Sequence, residues 1–115
     1  MKIQVVNKYK DDCTDAIYIG RGSPLGNPFP ITKELPRLEA IAKYNVWIEQ
    51  KLMDEDITVL TELLRLADLA KEKDIKLQCF CNPHPCHGDT IKNLVLDLME
   101  DPKLHAYIKG VVDGE

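Results

Sequence analysis

Ile75-Lys76-Leu77-Gln78-Cys79-Phe80-Cys81-Asn82-Pro83-His84-Pro85-Cys86-His87-Gly88-Asp89-Thr90-Ile91 carries the reading of the fold. Ile75 to Cys79 alternates apolar and polar like a half-buried strand. A loop rich in cysteine and histidine follows, and from Ile91 the residues Leu94, Val95, Leu98 and Met99 continue an apolar face at helical spacing. Strand, loop and helix in that order form one unit of an α/β protein.

Working outward, Ile3–Val6 and Ala16–Ile19 read as two further short strands, separated by a polar turn. Residues 20–36 carry three glycines and four prolines, which exclude both a helix and a central strand and leave a long ordered loop. Leu38, Ile41, Tyr44, Ile48 and Leu52 then recur at helical spacing with Trp47 at the edge of the stripe, and a second helical pattern runs from Ile57 to Ala70. Asp101-Pro102 announces a last helix, with a capping carboxylate followed by proline at the first helical position; Leu104, Tyr107, Ile108 and Val111 form its expected buried side. The order predicts a small Rossmann-like layered α/β fold with a short, mainly parallel sheet and about four helices, in a single domain spanning residues 1–115.

Composition narrows the class. With 44% hydrophobic and 30% charged residues the chain has the make-up of a globular protein, and no apolar run approaches the ~20 residues that a membrane span requires. The N-terminus lacks the features of a signal peptide, so a cytoplasmic location is expected, with cysteines reduced rather than paired. A net charge of −4 argues against duplex nucleic acid as a partner. Residues 1–38 nonetheless hold six Lys/Arg against four acids, which suits a small anionic ligand.

Ligands of open α/β folds bind beyond the carboxyl ends of the strands, and both unusual loops begin there. In the first, Gly20, Gly22 and Gly26 permit positive φ or close backbone approach, Arg21 offers a forked donor to a phosphate or carboxylate, and Ser23 and Asn27 add neutral hydrogen-bonding groups. The spacing matches neither a Walker loop nor a dinucleotide fingerprint.

In the second loop, Cys86, His87, Gly88 and Asp89 lie where a helix begins, and the positive end of a helix lowers a thiol pKa and attracts anions. Cys86 is the leading nucleophile candidate and Cys81 the second, with His87 as base and Asp89 orienting His87 or a ribose hydroxyl, or else capping the helix. Cys79 reads best as a small buried thiol. Cys79, Cys81, Cys86 and His87 also make up a set of zinc ligands, although Cys-x-Cys followed by adjacent Cys-His fits tetrahedral geometry poorly; the expectation is no cofactor, with zinc as the alternative.

The block Ile19-Gly20-Arg21-Gly22-Ser23-Pro24-Leu25-Gly26-Asn27-Pro28-Phe29, then Arg37 followed by Ala40, Ile41, Tyr44 and Trp47, then Leu77-x-Cys79-x-Cys81-x-Pro83-x-x-Cys86-His87-Gly88-Asp89 together resemble domain of unknown function family 4326. The resemblance implies a small protein of bacteria and their phages, sometimes encoded among nucleotide or defence genes. It marks Arg21, Gly22, Ser23, Gly26, Asn27, Arg37, Cys81, Pro83, Cys86, His87, Gly88 and Asp89 as matching positions, and it transfers positions rather than a reaction. The second block is also similar to the Cys-x-x-x-Pro-x-x-Cys-His signature of another Rossmann-like family.

The leading expectation is a protein that binds a small anion or nucleoside phosphate between the two loops, with cleavage or transfer at a nucleoside bond as the reaction class if Cys86 and His87 turn the ligand over. The alternatives are a module that sequesters a nucleotide signal without turnover, as in phage counter-defence, and a zinc-stabilised interaction protein. The helical faces are compatible with a homodimer.

Overall fold

In a computed structural model, which describes residues 2–9, 11–29, 31–79 and 87–114, three strands and four helices follow the predicted order. They are β1 (Ile3–Asn7), β2 (Ile17–Tyr18), α1 (Arg37–Met53), α2 (Ile57–Glu72), β3 (Ile75–Cys79), α3 (His87–Glu100) and α4 (Pro102–Asp113). The sheet order, open in the sequence, is β1-β3-β2, with both pairings parallel. The chain is α/β.

Register explains which side chains enter the core. Ile3, Val5 and Asn7 stand beside Ile75, Leu77 and Cys79, and Ile17 beside Leu77, so these residues share one face of the sheet. Ile3, Ile75, Leu77 and Cys79 join the same buried cluster as Leu63, Leu66, Ile91 and Val95 from the helices. On the other face, Lys76 donates to the Asp12 carbonyl at 3.1 Å and pairs with its carboxylate at 3.6 Å. That ties the 8–16 connection to the start of β3.

α2 is capped by Asp56, whose side chain accepts from the Val59 N–H at 3.1 Å. It packs most closely on α3, which also touches β1, β3, α1 and α4. The Asp101 cap of α4 forms as the sequence predicts, accepting from the N–H groups of Lys103 and Leu104.

Two expectations about helix faces need correction. α1 buries Ala40, Tyr44 and Ile48, whereas Leu38 is exposed. The buried stripe therefore begins at Ala40 rather than at Leu38. α4 buries only Ile108; Tyr107 is exposed, and its hydroxyl lies 3.3 Å from a Glu55 carboxylate oxygen. A terminal helix packed from one side covers a narrower stripe than its apolar periodicity suggests. Among the described residues no helix is long and apolar enough to cross a membrane.

Candidate functional site

Because β2 and β3 are parallel neighbours, their carboxyl ends lie at one edge of the sheet. The glycine loop leaves β2 there, and the Cys/His loop leaves β3. Ile19 N–H donates to the Gln78 carbonyl at 3.1 Å and Lys8 N–H to the Cys79 carbonyl at 2.9 Å, so chain segments flank the end of β3 on both sides.

His87, the first residue of α3, reaches the start of the glycine loop. It is buried, and its Nε2 lies 2.6 Å from the Ile19 carbonyl oxygen. A carbonyl can only accept, so Nε2 carries the proton in this contact, and in the neutral ring Nδ1 is the remaining basic nitrogen. Burial pushes the His87 pKa below the ordinary imidazole value, outweighing the Ile19 carbonyl and the Asp89 charge, which both act in the opposite direction. A neutral ring is therefore favoured near pH 7.

The His87 ring meets the Tyr44 ring edge to face, with centroids 5.1 Å apart. Tyr44 is fully buried, and its hydroxyl donates to the Leu25 carbonyl at 2.7 Å. Burial also raises the Tyr44 pKa well above the usual phenol value. One donor from α3 and one from α1 thus hold the two ends of the segment 19–25. Beside them, Thr90 of α3 donates to the Asn45 side chain of α1 at 2.6 Å.

Five of the seven carbonyls in this segment accept hydrogen bonds from the protein. Ile19 O accepts from His87, Gly20 O from the Ser23 N–H and hydroxyl, Arg21 O from the Tyr18 hydroxyl, Ser23 O from the Gly26 N–H and Leu25 O from Tyr44. By contrast, the N–H groups of Gly20, Arg21, Gly22 and Leu25 make no hydrogen bond with the described residues. Gly22 has φ +93°, and a Cβ on Gly26 would overlap the Gly20 carbonyl oxygen. Two of the three predicted glycines therefore answer to distinct backbone demands, a left-handed residue and a close approach. The Arg21 side chain is exposed and forms no ion pair with the described residues.

The other predicted residues have more settled surroundings. The Ser23 hydroxyl is used in holding Gly20, and the Asn27 side-chain oxygen accepts from the Phe29 N–H at 2.8 Å. Arg37 is the first residue of α1. Gly88 is buried in the first turn of α3, and Asp89 is the third residue of that helix. The expectation that Asp89 stands before the helix as its N-cap is thus corrected: α3 includes His87 and Gly88, and Asp89 places its charge within the favourable first turn instead.

Cys79 is buried on the core face of β3, as the simplest reading of it predicts. Cys81 and Cys86, the two nucleophile candidates and two of the four alternative zinc ligands, lie outside the described residues, as does Pro83. Among the described residues, no group of three or more His, Cys, Asp and Glu side chains is placed to hold a metal ion.

Sequence reasoning passed over Tyr44 and Asn7. Tyr44 reads as one more apolar position in a helical stripe, and its hydroxyl is what distinguishes it. Asn7 ends β1 beside Cys79, buried, with its side-chain oxygen accepting from the Tyr9 N–H and its own N–H donating to Asp11. A polar residue on the core face at the end of an apolar strand was the available signal.

Comparison with known proteins adds descent. An uncharacterized 12.4 kDa protein in the nrdA-td intergenic region of Enterobacteria phage T4 is 33% identical over 99 residues, covering 85% of this chain and 82% of the phage protein. No solved structure matches the chain. Residues 4–97, which include the glycine loop, both of its anchors and the start of α3, match Domain of unknown function (DUF4326), and the chain belongs to that family.

Proposed function

We propose that the protein binds a small anion, in the first instance the phosphate of a nucleoside phosphate, on the glycine loop beside the start of α3. The observation that carries this reading is the asymmetry of the loop backbone. Five of the seven carbonyls in 19–25 accept hydrogen bonds from the protein, while four N–H groups, with a left-handed glycine among them, lack acceptors among the described residues. Successive N–H groups of that kind attract anions. The Arg21 guanidinium adds a positive, forked donor, and the first turn of α3 adds its dipole.

Turnover, if the site supports it, would draw on Cys86 or Cys81 as nucleophile. His87 would then act through Nδ1, since Nε2 is engaged with Ile19. A module that sequesters a nucleotide would use the same binding groups and none of the thiols. Cys86→Ala separates the two readings: binding survives in both, and only catalysis is lost.

The direct test is ¹⁵N NMR of the intact protein titrated with inorganic phosphate and with a nucleoside monophosphate. The amide resonances of Gly20, Arg21, Gly22 and Leu25 are expected to move together and saturate. Arg21→Ala should weaken binding about tenfold, the loss of about one charge-assisted contact worth ~1.4 kcal/mol, and leave the amide response in place. No movement of those four resonances at millimolar ligand would refute the reading.

A further inference from the structure

Just beyond the glycine loop, Phe29 lies against the outer side of α1, where Ala42, Lys43, Val46, Trp47 and Gln50 complete a shallow open depression with an apolar floor. Val46 is 69% exposed although it stands in the middle of a helix. Lys43 holds its ammonium group 5.8 Å from the centre of the Phe29 ring, which brings positive charge to the rim.

This shelf is coupled to the anion loop through one side chain. The Tyr44 ring centroid is 5.6 Å from that of Trp47, and its hydroxyl reaches the Leu25 carbonyl at 2.7 Å. Tyr44 therefore touches both Trp47 of the shelf and Leu25 of the loop, which makes the two features neighbours. Aromatic and apolar side chains beside an anion site are suited to the face of a nucleobase, and the Gln50 amide can serve its polar edge.

We propose that Phe29, Val46 and Trp47 seat the base of a nucleoside phosphate whose phosphate rests on the 20–26 loop. This rests on the anion-binding reading and narrows it, because a simple oxyanion or sugar phosphate would leave the shelf empty. Lys43, at the rim, faces the sugar or phosphate of such a ligand.

Trp47 is the one tryptophan in the chain, so its fluorescence reports on the shelf and on the Tyr44 contact behind it. The experiment titrates the intact protein with inorganic phosphate, ribose 5-phosphate and the adenosine, guanosine, cytidine and uridine 5′-monophosphates, following Trp47 emission and the loop amide resonances in parallel. At least one nucleotide is expected to change Trp47 emission and to bind about tenfold or more tightly than ribose 5-phosphate, the scale of a base stacked on an aromatic surface. Val46→Glu, which sets a carboxylate on the exposed shelf, and Trp47→Leu should each reduce that advantage below about threefold while ribose 5-phosphate binds as before. If ribose 5-phosphate and all four nucleotides move the loop amides with equal affinity and leave Trp47 unchanged, the base seat is refuted and the anion site stands. If none of the anions moves the loop amides, the anion site itself falls.

Discussion

Replacing Tyr44 by Phe removes one oxygen and keeps the ring that contacts His87 and Trp47. The lost group is the donor at 2.7 Å to the Leu25 carbonyl, in a pair buried from solvent. A buried hydrogen bond contributes about 1 kcal/mol net, and leaving its acceptor unpaired raises the cost to ~1–3 kcal/mol. At about 4 °C per kcal/mol for a chain of this size, the melting temperature should fall by roughly 4–12 °C. Urea unfolding should show the same loss as a lower midpoint with an unchanged slope, since the surface exposed on unfolding is the same. The variant also bears on pH. The buried phenol resists ionisation in the folded protein, while in the unfolded chain it ionises near its ordinary value of about 10. Proton release therefore favours the unfolded state above that pH, and wild-type stability should decline there more steeply than that of Tyr44→Phe. A loss under ~0.5 kcal/mol at neutral pH, within the range of an ordinary surface change, would refute the role given to Tyr44 as the fastening of the loop.

His87→Gln keeps an amide donor for Ile19 and cannot titrate. The folded imidazole resists protonation, whereas the unfolded one takes a proton near pH ~6.5, so wild-type stability should fall as the pH drops below that value and the variant should lack this component in pH-dependent urea unfolding. Gly26→Ala should cost more than ~2 kcal/mol because its methyl group meets the Gly20 carbonyl, whereas Gly22→Ala has open space and should lose only ~1 kcal/mol from its positive φ. Gly110→Ala, in the interior of α4 with nothing near the new methyl, should stabilise by ~0.5–1 kcal/mol in thermal melts. Protein purified without chelator should contain no stoichiometric zinc and melt identically with chelator present: of the four candidate ligands, Cys79 is buried in the hydrophobic core, and His87 has only Nδ1 left to coordinate with. One equivalent of zinc, with melting lowered by chelator, would overturn that expectation.

Local signals carried much of the architecture. The Asp101-Pro102 cap, the alternation of Ile75 to Cys79 and the stripe from Ile57 to Ala70 are all short-range consequences of backbone chemistry, and they appear where the sequence places them. The order β1-β3-β2 depends on how 8–16 crosses the sheet, an arrangement set by long-range contacts such as that of Lys76 with Asp12. Leu38 and Tyr107 fit an apolar period and are exposed, because periodicity names a face without saying how wide a neighbour covers it. At the candidate site, the glycine loop was legible from its composition. The fastening of that loop was not, since it depends on a tyrosine hydroxyl 19 residues away from its acceptor and on a histidine 68 residues away.

That fastening has a consequence for motion. A surface loop ordinarily opens by itself, at a free-energy cost far below that of global unfolding. Here both ends of 19–25 are held by side chains whose rings are buried between helices, so releasing the loop means displacing Tyr44 and His87 from the packing that orders α1 against α3. Opening of the loop and disruption of the core become one event. The hydrogen-bonded amide hydrogens of Ile19 and Ser23 should therefore exchange at rates that follow the stability of the whole protein, and an anion held on the loop would slow exchange in the distant strands as much as at these two positions.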